Sequence, residues 1–421
     1  MGFARIRRRI GGRSLAAAFL GTTFLVGLAG PALADSHFES ENAELRSQIE
    51  DLRQEVQILK NMVLEQNKKV MDMGEPAAPP KTVKSGKSNV SLSVSGQVNR
   101  MLLQVNDGND SQLFHADNDM SSTRVRFEGK AKMGGGWSAG ATAEVQMESN
   151  SSAKVTMGQS KDVGGGSFSE RKLEVWFKNK NVGKFSIGQG STASDGTVEE
   201  DLSGTGVIAG SGFAATGESV EFTDAGGQSS GVSVGDLFGN RDGRSRKDRL
   251  RYDSPSFRGF QVSASHESGA GSGSSPWDAA LRYGRTFGDF EVAAALSTWT
   301  RGGTTGLGAS ASILAPSGTS VTGSFSDVDD DGGSSTFTYL KLGQELKLNA
   351  AGKTAVSIGF ASTDGRGGGS DGGDYFDVAV VQKIKDLGAE LYGVYGVYSA
   401  DIAGISANDI RVAGVGARIK F

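Results

Sequence analysis

From Asn89 to the C-terminus, polar and apolar residues alternate with a period of two. Val90, Leu92, Val94 and Val98 interleave with Ser91, Ser93, Ser95 and Gln97. Val125 and Phe127 interleave with Arg124, Arg126 and Glu128, and Phe260, Val262 and Ala264 with Gln261, Ser263 and Ser265. Phe290, Val292, Ala294 and Leu296 make another apolar face, as do Val356, Ile358 and Phe360. A strand sends successive side chains to opposite faces, so each run predicts a strand with one apolar and one polar side. The pattern predicts sixteen strands, near 89–105, 119–133, 137–149, 168–180, 183–190, 247–257, 259–267, 277–287, 289–300, 307–315, 319–327, 335–346, 353–362, 375–386, 389–399 and 410–421. Short connections (Gly134-Gly135-Gly136, Asn181-Val182-Gly183, Phe287-Gly288-Asp289, Leu387-Gly388) alternate with long Gly-, Ser- and Asp-rich ones at 106–118, 149–166, 267–275, 327–335, 364–373 and 400–408. The expected fold is all-β: a 16-stranded antiparallel transmembrane β-barrel with short turns at one end and long loops at the other. An even strand count puts both barrel termini at the turn end. A soluble β-sandwich would not explain the strand count and the loop-length alternation together.

Upstream the period changes. Phe38, Asn42, Leu45, Ile49, Leu52, Val56, Leu59, Val63, Gln66, Val70 and Met73 step by four and three, with charged and amide side chains between them. This heptad predicts a short N-terminal α-helical coiled coil over 35–73. β-Branched residues at a with Leu at d favour two strands, while the polar seam residues Asn42 and Gln66 leave the number open. Three of the chain's seven Pro fall in Glu75-Pro76-Ala77-Ala78-Pro79-Pro80-Lys81, which predicts a linker over 74–88. Before the heptad, a basic stretch from Arg5 to Arg13, an apolar run from Leu15 to Leu28 and Ala32-Leu33-Ala34 form the three parts of a cleaved signal peptide, residues 1–34. The apolar run is shorter than the ~20 residues a helix needs to span a bilayer.

Composition narrows the class. Hydrophobic residues are 37% of the 421, with 63 Gly and no Cys. A barrel that alternates lipid-facing and water-facing residues has this average. The absence of Cys excludes a disulfide scaffold and thiolate chemistry. Residues 1–34 carry five Arg and no acid, so their removal takes the formal net charge from −4 to −9. That argues against a nucleic-acid partner and weakly favours a pore tolerant of cations.

The last strand alternates Ala413, Val415, Ala417, Ile419 and Phe421 with Gly414, Gly416, Arg418 and Lys420, and the chain ends on the aromatic. A terminal Phe421 on such a strand resembles the assembly signal of outer-membrane proteins, which implies the barrel-assembly machinery as a partner. With the long connection at about 191–246 and the segment Arg249-Leu250-Arg251-Tyr252-Asp253-Ser254-Pro255-Ser256-Phe257-Arg258-Gly259-Phe260, residues 89–421 resemble the sixteen-stranded general porins of Gram-negative bacteria. The coiled coil is similar to that of some substrate-selective porins, including phosphate-selective ones. The resemblance implies a homotrimer embedded in outer-membrane lipid and lipopolysaccharide, and a periplasmic coiled coil. It also implies a long loop that folds into the barrel and narrows it. That loop carries Asp195, Glu199, Glu200 and Asp201. In such porins loop acids face basic side chains on the opposite wall, for which the candidates are Arg124, Arg126, Lys172, Arg249 and Arg251. Each basic residue neighbours an apolar one (Val125, Leu173, Leu250), so each is expected to face the lumen. A charged ring with a transverse field filters solutes by size and charge.

Asp327-Val328-Asp329-Asp330-Asp331-Gly332 matches the first half of a calcium loop, but Thr338 stands where the bidentate Glu belongs, so it reads as a solvated external loop. His37, His115 and His266 have no convincing partner motif for a Ser/His hydrolase. The sequence therefore reads as a non-enzymatic porin without cofactor or metal, passing small hydrophilic solutes and ions with a mild cation preference. An anion- or phosphate-selective pore, and a structural tether using the coiled coil, are the alternatives.

Overall fold

In a computed structural model, the described residues are 90–159, 168–268, 275–366 and 371–421, with the backbone of Val83–Lys84. The expected signal peptide, the coiled coil and nearly all of the linker lie outside the described residues. The exception is Val83–Lys84, inside the expected linker, which pairs antiparallel with Leu92 and Ser91.

The barrel strands are β1 (Val90–Asn106), β2 (two segments, Ser111–Asp117 and Arg124–Lys132), β3 (Trp137–Met147), β4 (Phe168–Asn179) and β5 (Gly183–Ser191). They continue as β6 (Arg246–Asp253), β7 (Phe260–Glu267), β8 (Trp277–Phe287), β9 (Phe290–Arg301), β10 (Thr304–Leu314) and β11 (Thr319–Asp330). The last five are β12 (Gly333–Asn349), β13 (Gly352–Arg366), β14 (Asp371–Ile384), β15 (Ala389–Asp401) and β16 (Ile410–Lys420). Each pairs antiparallel with the next, and β1 pairs with β16 from Gln97↔Lys420 to Asn106↔Arg411, which closes a sixteen-stranded barrel. At the seam Gly96 and Phe421 exchange two backbone hydrogen bonds, of 2.8 and 3.0 Å. A Cβ on Gly96 would stand 2.6 Å from the Arg124 carbonyl oxygen and 2.7 Å from the Phe421 ring, so glycine lets both come this close.

The outer face is apolar, as the alternation predicts: Val98, Phe127, Val175, Ile187, Leu250 and Leu340 point outward and are exposed. Near the turn end of β5 to β9 the outward residues become aromatic. Phe185 lies 4.9 Å from Tyr252 and Phe260 4.5 Å from Tyr283, ring centre to ring centre. An apolar band bordered by an aromatic girdle is the surface a barrel presents to lipid and its interface. Among the described residues no helix is long and apolar enough to cross a membrane.

Two expected loops are something else. The first, 106–118, contains a tight turn and then the first half of β2. The Asp107 carboxylate accepts the N–H groups of Asn109 and Asp110 at 2.9 and 2.7 Å and closes the turn. Both halves of β2 lie along β1, separated by a break at 118–123 where Gln97 and Asn99 of β1 donate side-chain bonds to Ser121 O. The second, 327–335, is a hairpin in which β11 runs to Asp330 and β12 starts at Gly333. Pairing sends Asp327 and Asp329 to the face opposite Asp330, so these acids do not converge.

Candidate pore constriction

The connection between β5 and β6, residues 192–245, turns into the barrel instead of standing above it. Its seat is a series of side chains on successive strands. Ala193 N–H donates to Ser265 Oγ on β7 (2.9 Å), and Ser194 N–H to Asp278 on β8 (2.7 Å). The Thr197 hydroxyl meets Ser297 on β9 (2.6 Å). On β10, Ser310 and Ser312 accept the N–H groups of Glu200 (3.0 Å) and Leu202 (2.9 Å). Lys341 on β12 donates to Asp201 (2.6 Å) and to Ala209 O (2.8 Å), and Thr205 meets Ser357 on β13 (2.9 Å). The loop thus follows the wall around the lumen. Small inward hydroxyls make this possible: Ser265, Ser310 and Ser312 accept backbone N–H groups that a bare loop would leave unpaired, Ser297 and Ser357 meet loop hydroxyls, and all take little room.

Past Gly206 the attachment becomes apolar. The Phe213 ring stacks on Tyr375 of β14 at 3.8 Å, and the Tyr398 hydroxyl of β15 donates to Phe213 O at 2.9 Å. Val207, Ile208, Phe222, Leu237 and Phe238 of the loop pack with inward Leu103, Phe114, Phe337 and Tyr339. Burying that many large side chains, at about 1.5–3 kcal/mol each, makes the loop a fixed part of the barrel.

Arg249 and Arg251, expected on the opposite wall, hold the root of the loop. Arg249 is 5% exposed. It donates to Ser191 O (2.9 Å), Gly188 O (2.8 Å) and Glu174 Oε2 (2.5 Å). A Cβ on Gly190 would lie 2.8 Å from both Arg249 and Glu174, so glycine there makes room for the pair. Arg251 donates to Thr192 O (2.6 Å) and pairs with Asp253 (2.7 Å). Arg282 of β8, which sequence reasoning missed, donates to Ala193 O and Asp195 O at 2.9 and 2.7 Å. Its only signal was an Arg alternating with outward Leu281 and Tyr283.

The structure gathers Arg124, Arg126 and Lys172 on one wall. Glu144 of β3 pairs with Arg126 (2.5 Å) and lies 4.0 Å from Arg124. Across β3 and β4 the register shifts: Glu144 faces Lys172 while Val145 faces Glu170. The resulting bulge brings the extra residue, Arg171, to Glu144 at 2.8 Å beside Lys172. Bulges re-aim a side chain in this way, which is why alternation alone missed Arg171. By strand order Glu144 on β3 stands half the barrel away from Asp201, whose carboxylate also accepts from Thr322 of β11 (3.4 Å).

The loop acids differ in what they are free to do. Asp201 is bound to Lys341, and Asp195 lies 4.0 Å from Arg246. Glu199 is exposed to the lumen and accepts from Asn240 at 3.1 Å. Burial raises the Glu200 carboxyl, with Arg282 opposing. Asp242, absent from the sequence expectation, accepts the N–H groups of Gly196 (2.5 Å) and Val198 (2.9 Å). Burial first, then the charge of Glu199, pushes its carboxyl up to about 8 against the pull of those donors. Glu199 and Asp201 also line a cavity of about 330 Å³ with Asp119, Glu218 and the Gly210–Gly212 edge of the loop.

The Gram-negative porin family matches residues 21–403. The chain belongs to that family. Family and fold point to an outer-membrane channel and not to an enzyme. Among curated proteins no sequence matches. Among solved structures this porin is similar to OmpT, an outer membrane protein of Vibrio cholerae (16% identity, 81% of this chain and 100% of that one, TM-score 0.54). It is also similar to the anion-selective porin of Comamonas acidovorans (16%, 79% and 100%, 0.54) and to the outer membrane channel DcaP of Acinetobacter baumannii (14%, 81% and 99%, 0.51). At these identities the likeness is one of fold.

Proposed function

We propose that this porin forms a water-filled channel for passive diffusion of small hydrophilic solutes and ions, with a mild cation preference set at the loop 192–245. The observation that carries this is the seated loop itself: it lines the lumen, and among the described residues no cation lies within ion-pairing distance of its Glu199 and Glu200. Asp195 adds to this edge, while Asp201 serves mainly to hold the loop. Arg124, Arg126, Arg171 and Lys172 on the far wall offset the acids, which makes the preference mild. Charges at a narrow point act with little screening, whereas charges across a wide mouth are damped within about 8 Å at physiological salt. Reversal potentials across a planar bilayer in a KCl gradient test the reading. A strong anion preference would sink it and favour the second reading, an anion-selective pore governed by the same basic wall.

The turn end faces the periplasm in this reading, the coiled coil expected over 35–73 is periplasmic too, and Phe421 serves as the assembly signal. A trimer form of OmpT is among the similar structures, and we expect a homotrimer here too. Mass measurement in detergent tests that, and a monomer or dimer would refute it. Deleting 35–88 separates pore from tether: a pure pore keeps its conductance and leaves envelope integrity unchanged.

A further inference from the structure

Strand register sets the inward residues of β2 to β5 in rows across one wall. Nearest the turn end, Lys132, Ser138, Lys178 and Lys184 stand side by side. The next row is Lys130, Gly140, Trp176 and Ser186, and the third is Glu128, Thr142, Glu174 and Gly188. Arg126, Glu144 and Lys172 follow. Between these rows lies a cleft of about 280 Å³.

Its charges do not balance. Arg126, Lys130, Lys172, Lys178 and Lys184 line it against two carboxylates, Glu128 and Glu174. Glu174 is already engaged by Arg249 at 2.5 Å, with Lys184 at 3.9 Å. Among the described residues no carboxylate lies within ion-pairing distance of Lys130, Lys172 or Lys178. Lys178 and Lys184 are direct cross-strand partners, and like charges in that position destabilise a sheet. An anion between them turns that cost into a gain. The floor of the cleft is preformed. The Trp176 ring lies over Gly140, where a Cβ would meet it at 2.3 Å, and the Lys184 ammonium sits 5.6 Å from the ring centre.

We propose that this cleft is a binding site for a small dianion, a phosphate or a dicarboxylate, in the turn-end vestibule of the pore. Several unpaired ammonium groups around a cleft of this size match two negative charges better than one. The site stands on other residues than the loop acids, so it goes beyond the channel reading and holds whichever ion the constriction prefers.

Isothermal titration of the full-length protein in detergent at low salt tests it, with inorganic phosphate, succinate and acetate as probes. Phosphate, succinate or both are expected to bind at one site per chain, and acetate at least about tenfold more weakly. Phosphate alone would identify a tetrahedral anion and succinate alone a dicarboxylate, and either supports the site. The double variant K130Q/K178Q is expected to weaken dianion binding about tenfold, and K130R/K178R to retain it. Far-UV circular dichroism checks that both variants keep the barrel. Dianion binding no tighter than acetate, or unchanged in a folded K130Q/K178Q, would overturn the proposal.

Discussion

Lys341 and Asp201 form an ion pair of 2.6 Å beneath the constriction loop, and the lysine side chain is wholly buried. Truncating one partner of a buried pair leaves the other charged and unpaired, at a cost of about 3 kcal/mol. Lys341→Met should therefore loosen the start of the loop, read as faster proteolysis between 192 and 245 and noisier single-channel currents. K341M/D201L should recover part of that loss, because no charge is then stranded. Equal behaviour of single and double variants would show that the pair does not hold the loop.

Selectivity and loop stability should separate by residue. E199Q/E200Q is expected to shift the reversal potential toward anions with little change in melting temperature. D201N should do the opposite, because its carboxylate is engaged by Lys341. A selectivity shift from D201N as large as that from E199Q/E200Q would place the constriction elsewhere.

Asp242 predicts a pH dependence. A carboxyl raised to about 8 is neutral below that pH and charged above it. Cation preference should therefore rise between pH 6 and 9, and D242N should flatten the change. Stability moves the other way. Between the ordinary carboxyl pKa, about 4, and 8 the folded state keeps a proton the unfolded chain has lost, so stability falls as pH climbs through that window. Reversal potentials and melting temperatures measured across it check both signs.

Phe213 is buried and stacked on Tyr375. Phe213→Ala should cost about 3 kcal/mol by opening a cavity, lowering the melting temperature or, where the loop alone yields, widening the pore. Single-channel conductance separates these outcomes, and a variant with native conductance and stability would refute the anchoring role of the ring.

The barrel was legible in the sequence because a strand between lipid and water must alternate, and that constraint acts on each residue separately. Strand number and the outward apolar face follow from it, whereas the pairing of Phe421 with Gly96 needs the closed barrel. The constriction was legible only as a long loop with acids near its start. Alternation says which face Arg249 occupies but not what has been laid over that face, and here the root of the loop covers it. Arg171 reaches the lumen through a bulge that a strict period of two cannot show. Asp201, Lys341, Arg282 and Asp242 acquire their roles from partners distant in the chain: Lys341 is 140 residues from Asp201. Which carboxylates remain free is thus a property of packing, because a charge is open only where no buried partner claims it, and those partners meet only after the barrel has closed around the loop.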